Sequence, residues 1–405
     1  MGKTTSFYEA REMLLERVSA TETERIALEM CHNRILGQNL QAVFQVPPFD
    51  RSPFDGYAFR AADSKDASNE HPVTLRILEE IPAGGISHIP VTEGCAVKIL
   101  TGAMIPKGAD AVVKYEDTVF TEDQVTIFAP VKSGSNIIRA GEDVQRGKIL
   151  AEKGRVIDPG LAGTLAAQNI TEPVVYRRPK VGIISTGSEL VAVGKELNPG
   201  KIYDTNSYML SGAVKRLGCE AVIIGMVNDS TEKIYEMIKE GLENCDMLLL
   251  TGGVSVGDYD LTPAAMEMAG VNIFLRGVNL KPGMACAFGE KDGKLVCALS
   301  GNPASSITNF YAIVMPAVKK LCGQRDFLPS EMKIQLCNDF KKKSPATRLL
   351  RGALDLSSGH AAIRISEDQG NVVLSSTIGC DVMAIVPGGT GELEAGTELS
   401  GFIIG

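Results

Sequence analysis

The 405-residue sequence predicts an α/β plus β fold. The chain reads as multidomain, with a central doubly wound, mostly parallel α/β sheet domain, two smaller β domains and a helical linker domain. Three observations carry this. Residues 180–322 alternate short continuous apolar runs with helix-period segments, as parallel strands covered on both faces require. Residues 50–139 and 329–405 carry short β-like runs punctuated by Gly and Pro. The length also exceeds what one hydrophobic core ordinarily fills.

Taken in order, residues 6–30 show helical spacing through Phe7, Ala10, Met13, Leu14 and Val18, with a second short helix expected at 23–31 behind a Thr N-cap. Pro47-Pro48 ends that unit, and a small β domain follows over 48–139. Residues 140–178, with one helical stretch at 160–168, join 1–47 as a discontinuous helical linker domain. The α/β domain covers 179–326. Its strands are expected at 181–185, 220–226, 247–250 and 295–299, and its helices at 207–217, 232–243, 262–269 and 304–321. Residues 327–405 form the C-terminal β domain.

Hydrophobic residues make up 44% and charged residues 22% of the chain, which is globular composition rather than disorder. A net charge of -8 provides no basic excess for a phosphate backbone, so nucleic acid is excluded as a partner. The first residues carry charges throughout and no apolar run reaches 18 residues, so a cytoplasmic protein without membrane contact is expected. Nine scattered Cys without a CxxC pair fit reduced thiols, and four His leave little material for a zinc site or a serine triad.

The chemistry concentrates at strand ends. Residues 249–260, LLTGGVSVGDYD, run a buried strand into Gly252, Gly253, Ser255 and Gly257, then Asp258 and Asp260. Glycines let backbone N–H groups approach an anion, a following helix N-terminus adds positive potential, and carboxylates suit Mg²⁺. Residues 181–190, VGIISTGSEL, repeat the device with Thr186, Gly187 and Glu189. Asp204 and Asn206 precede one helix and Asp229 another, where each would serve equally as an N-cap. Gly301, Asn302, Pro303 and Ser305 open a further helix with Pro at its start. Lys281-Pro282-Gly283 presents a lysine on a turn, as an oxyanion site or a plain surface turn would. From composition, the corner at 49–60 with Asp55 and the turn at 138–143 with Asp143 are indistinguishable from structural ion-pair corners. Arg348, Arg351 and Ser375-Ser376 are individually uninformative.

In order, FDRSPFDGYA, ILTGAMIPKGADAVV, IRAGEDV, ISTGSELV, IYDTNS, LLTGGVSVGDYD, LKPGMACAFG and SGNPASS resemble the molybdopterin molybdenumtransferase family, the MoeA proteins and the E domain of gephyrin. The resemblance covers essentially the whole chain. It implies insertion of molybdate into adenylylated molybdopterin, with Mg²⁺ assisting phosphoanhydride cleavage and AMP released. It implies a homodimer whose cleft joins one subunit's α/β domain to the other's β and linker domains. Molybdopterin adenylyltransferase and molybdoenzyme apoproteins or their chaperones become candidate partners. By motif matching, the catalytic residues fall on Asp55, Thr101, Asp143, Glu189, Asp229, Asp260 and Lys281, with Asp229 and Asp260 as metal ligands. Cofactor binding falls on Thr186, Gly187, Asp204, Asn206, Gly252, Gly253, Ser255, Gly301, Asn302, Pro303 and Ser305, and molybdate on Lys281, Arg351 and Ser376. Three positions depart from the family pattern: Ser188 replaces an acid, Met284 stands where relatives often carry a second lysine, and Ser300 replaces a proline. Adenylylation of molybdopterin and a gephyrin-like scaffold role are the competing functions.

Overall fold

The apolar runs of the α/β region pair into one six-stranded sheet in the computed structural model, which describes residues 5–254 and 261–404. Strand order is Glu220–Val227, Lys180–Thr186, Met247–Thr251, Lys294–Leu299, Ala287–Lys291, Asn272–Arg276. The first four run parallel, Ala287–Lys291 runs against them, and Asn272–Arg276 runs against Ala287–Lys291. Successive strand side chains point to opposite faces, and both faces are apolar. Val181, Ile183, Leu249 and Cys297 join a core with Leu210, Val214, Val314 and Val318. Ile184, Leu248, Leu250 and Val296 join a second core with Ile234, Ile238, Ala265 and Met266. Helix Asn206–Arg216 and the helices between 303 and 321 therefore cover one face, and Thr231–Asn244 and Leu261–Met268 cover the other. The sheet is mostly parallel and doubly wound.

Three expectations change. The strands Ala287–Lys291 and Asn272–Arg276 were not foreseen; a hairpin at Asp292-Gly293, both with positive φ, turns the chain back. The helix expected at 23–31 is instead strand Thr23–Arg25 followed by a 3₁₀ turn at Leu28–Met30. Thr23 lies opposite Tyr176 in an antiparallel pair, and Glu24 pairs with Arg34, so a distant strand overrides the local pattern. The first helix is only Phe7–Leu15, started by a Ser6/Glu9 capping box. Its buried Phe7, Ala10 and Leu14 belong to the core that also holds Val314 and Leu321. The linker thus contributes few helices, and its other regular elements are two-stranded pairings. The last helix of the sheet domain is interrupted by a π turn at Phe310–Val314.

By internal contacts the chain falls into two units, Met1–Gln38 with Lys153–Ala162 and Glu172–Gly405, and Asn39–Glu152 with Gly163–Thr171. The first unit ends in a closed barrel of order Glu331–Leu336, Ala362–Ile365, Arg348–Asp355, Val382–Val386, Glu398–Ile403. The second is built on a mixed six-stranded sheet in which Gly56–Phe59 pairs with Ala111–Lys114 and Cys95–Ile99.

One ion pair clamps the start of the central strand. Arg177 donates two hydrogen bonds to Asp246 at 2.9 and 2.8 Å, and Lys180 N–H donates a third at 2.7 Å. Burial alone pushes this carboxyl pKa up, but the Arg177 and Lys180 bonds outweigh it and hold it below the ordinary value. A depressed folded pKa contributes stability above the unfolded pKa and loses it as pH falls through the folded one. Asp246→Asn is therefore expected to lower the melting temperature at neutral pH by about 3–10 °C. The gap to the parent protein narrows below pH 4 or so, where the unfolded carboxyl takes up a proton, and closes as pH falls through the lower folded value. An equal gap at pH 7 and pH 3 in parallel melts would refute this account.

Candidate active site

Parallel strands bring their carboxyl ends to one edge, and the loops that leave them surround a cavity of about 1240 Å³. Thr186, Gly187 and Glu189 line it from the first loop, Asp204 and Asn206 from the next helix start, and Asp229 from the edge strand's loop. Gly252, Gly253, Gly301, Asn302, Pro303 and Ser305 add the two glycine-bearing loops, and Lys281 a further wall. All thirteen were singled out in the sequence. Ser255, Asp258 and Asp260 lie outside the described residues.

The loops are locked by polar contacts beneath the cavity. Ser185, wholly buried at the end of its strand, hydrogen-bonds Asp204 Oδ1 at 3.0 Å and lies 2.9 Å from Ser207 Oγ and 3.2 Å from Thr251 Oγ1. Asp204 Oδ1 also accepts from Ser207 N–H at 3.1 Å, so this carboxylate does the work of an N-cap. Asn206 donates to the Gly301 carbonyl at 2.9 Å and ties two loops together. Gly252 is required: its φ is +98°, and a Cβ there would sit 2.2 Å from the Thr186 carbonyl oxygen.

Asp229 is released from capping because Ser230 takes that role, accepting from Lys233 N–H. Its Oδ2 accepts from Ser188 N–H at 2.9 Å, while Asp229 N–H donates to Ser188 Oγ at 3.2 Å. The serine that departs from the family pattern thus fixes the neighbouring loop's acid. Asp229 and Glu189 are both exposed.

Lys281 stands on a turn held from both sides. Its N–H donates to the Thr347 carbonyl at 2.8 Å, and its carbonyl accepts from Leu349 N–H at 3.0 Å. The fully buried Asn309, immediately before the π turn, donates to the Gly283 carbonyl at 2.9 Å. The cavity's remaining wall comes from the barrel, with Arg348, Gln369 and Asn371 among its residues. Sequence reasoning missed these; no spacing links Arg348 to Lys281, and only a β-bridge joins them.

Other candidate residues lie elsewhere. Arg351 is wholly buried, donates to Ser376 Oγ at 3.3 and 3.0 Å, and does not line the large cavity. Burial lowers its pKa to about 10. In the other unit, Asp55 Oδ1 accepts from both the N–H and the hydroxyl of Thr101 at 2.7 Å. Those bonds, the hydroxyl's first, hold the Asp55 carboxyl below its ordinary value. Asp143 is exposed, with its N–H on the Val46 carbonyl. Asp50, by contrast, pairs with Arg139 at 2.6 Å and is a structural corner. Burial raises the Cys286 thiol to about 12, so it holds no thiolate.

A chain whose strand-end loops, cavity and barrel are arranged this way has close relatives. Residues 5–168 match the model for the MoeA N-terminal region (domain I and II), and residues 182–320 that for a probable molybdopterin binding domain. The molybdopterin molybdenumtransferase of Staphylococcus aureus strain Mu50 is 37% identical over 390 residues, covering 96% of this chain and 93% of the relative. That of Staphylococcus epidermidis is 35% identical over 391 residues, again 96% and 93%. A crystal structure of the molybdopterin biosynthesis moeA protein from Pyrococcus horikoshii OT3 superposes with a TM-score of 0.86, at 31% identity, over 99% of this chain and 100% of that one. By sequence over nearly its whole length and by fold, the chain belongs to the molybdopterin molybdenumtransferase family.

Proposed function

We propose that the cavity takes adenylylated molybdopterin and molybdate, releasing AMP as the metal enters the dithiolene. The chain is a transferase of molybdenum cofactor biosynthesis; what is proposed is how its residues act. The observation that carries the reading is the convergence on one cavity of Gly252, Gly301, Lys281 and Asp229. Phosphoanhydride cleavage needs fixed donors and charge neutralisation more than a covalent nucleophile. Backbone N–H groups around Gly252 and Gly301 position phosphate oxygens, and Lys281 Nζ attracts the oxyanion.

The donor set fits Mg²⁺. Asp229 offers an exposed, oriented carboxylate, and among the described residues no group of three or more His, Cys, Asp or Glu forms a closed metal cage. Mg²⁺ binds through one or two carboxylates, with phosphate oxygens and water completing its shell. When bound there it would neutralise charge developing between the phosphates; Asp260 is the expected second ligand. The resemblance implies Lys281, Arg351 and Ser376 for molybdate, and of these Lys281 alone lines the large cavity. We place the active form as a homodimer in the cytoplasm; among the described residues no helix is long and apolar enough to cross a membrane.

The test is AMP release from adenylylated molybdopterin as molybdate is titrated. Lys281→Ala is expected to raise the molybdate requirement by about 10-fold or more. Release indifferent to molybdate, or pyrophosphate release from ATP and molybdopterin instead, would overturn the reading.

A further inference from the structure

Arg348 is a cavity residue that neither spacing nor motif assigned, and its surroundings leave its charge uncompensated. Its Nε donates to Ser344 Oγ at 2.9 Å, and its guanidinium carbon lies 5.5 Å from the centre of the Phe340 ring. Ser344 is 1% exposed and held by main-chain bonds to Thr390 and Gly389, so the anchor is rigid. Among the described residues no carboxylate lies within ion-pair distance of Arg348, and neither terminal nitrogen has a hydrogen-bond acceptor. Burial depresses the guanidinium's pKa, the sign of a cation stripped of water without a counter-ion.

Lys281 and Arg348 form a parallel β-bridge, which places them side by side, and both line the cavity. We propose that Arg348 and Lys281 together form a two-cation seat for a tetrahedral oxyanion, either molybdate or the phosphate of the nucleotide. The anchored Nε and the aromatic ring fix the guanidinium plane, leaving its terminal N–H groups to grip one oxyanion edge bidentately. Lys281 adds a point charge beside it. Met284, next to this turn, contributes no charge, so the barrel's arginine carries the second half of the neutralisation. The proposal rests on the reading that this cavity is the substrate site.

The test measures binding, not turnover, on the full-length protein. Molybdate is followed by equilibrium dialysis with elemental analysis and AMP by calorimetry, for the parent protein, Arg348→Gln, Arg348→Lys and Lys281→Gln. Arg348→Gln is expected to weaken at least one anion by about 10-fold or more, and Arg348→Lys to recover only part of the loss. A loss confined to molybdate assigns the seat to the metal oxyanion, and a loss confined to AMP assigns it to the nucleotide. Unchanged affinity of Arg348→Gln for both anions, with Lys281→Gln weakened, overturns the two-cation seat and leaves the site reading intact. Failure of the parent protein to bind either anion overturns both. If Arg348→Gln does not fold, Arg348→Lys decides, since full affinity for both anions would exclude a role for the fork.

Discussion

Gly252→Ala is expected to lower molybdate-dependent AMP release by about 100-fold or more while the protein still folds. At φ +98° an alanine costs on the order of 1–2 kcal/mol in backbone strain alone. Its Cβ would lie 2.2 Å from the Thr186 carbonyl oxygen and 2.7 Å from Thr186 Oγ1. Backbone cannot yield as a flexible side chain does, so the two loops must separate. Gly301 lies against the same point, with its own Cβ position 3.4 Å from Gly252 Cα. One methyl therefore forces apart the loops at Thr186 and Gly252, two of those proposed to hold the phosphates. Gly218→Ala is the control: its φ is +83°, but its Cβ would meet only the Asn33 carbonyl at 3.8 Å. It incurs the strain without the clash and is expected to lose thermal stability but keep its activity. Near-parental activity in Gly252→Ala would show that this loop geometry is not what positions the phosphates.

How much of this was legible in the sequence follows from how local each cause is. The parallel strands were visible because both faces of the sheet are covered, which makes 181–184, 247–250 and 295–299 continuous apolar runs. The strand-end glycines stood out because a close backbone approach admits no other residue. Asn272–Arg276, at the sheet's edge, and its antiparallel neighbour Ala287–Lys291 were not placed, because short strands of mixed polarity lack that signal. Thr23–Arg25 followed a partner strand about 150 positions away rather than its own periodicity. At the site, Asp204 and Asp229 carry identical signatures, an acid ahead of a helix. Only the hydrogen bonds separate them, since Asp204 caps its helix and Ser230 relieves Asp229 of the task. Arg348 was invisible because a β-bridge between two separate domains of the sequence brings it to Lys281.

Mixing two inactive proteins, Asp55→Ala and Asp229→Ala, is expected to restore roughly a quarter of parental activity once subunits exchange. Asp55 is the observation behind this. Its carboxylate is exposed, oriented by two bonds from Thr101 and kept ionised by them, yet no cation pairs with it among the described residues. A carboxylate so prepared, in a unit other than the one bearing the cavity, fits a substrate held by a second copy. In a homodimer with shared sites, a 1:1 mixture gives half mixed dimers, each with one site whose Asp55 and Asp229 are both intact. Each mutant alone is expected to retain about 1% or less, since the proposed reading makes both carboxylates part of the reacting site. Exchange is verified by co-purification of differently tagged subunits. If mixed dimers form and activity stays at the level of the separate mutants, Asp55 does not complete a neighbour's cavity. If Asp55→Ala alone keeps full activity, its two bonds to Thr101 serve the loop and not the reaction.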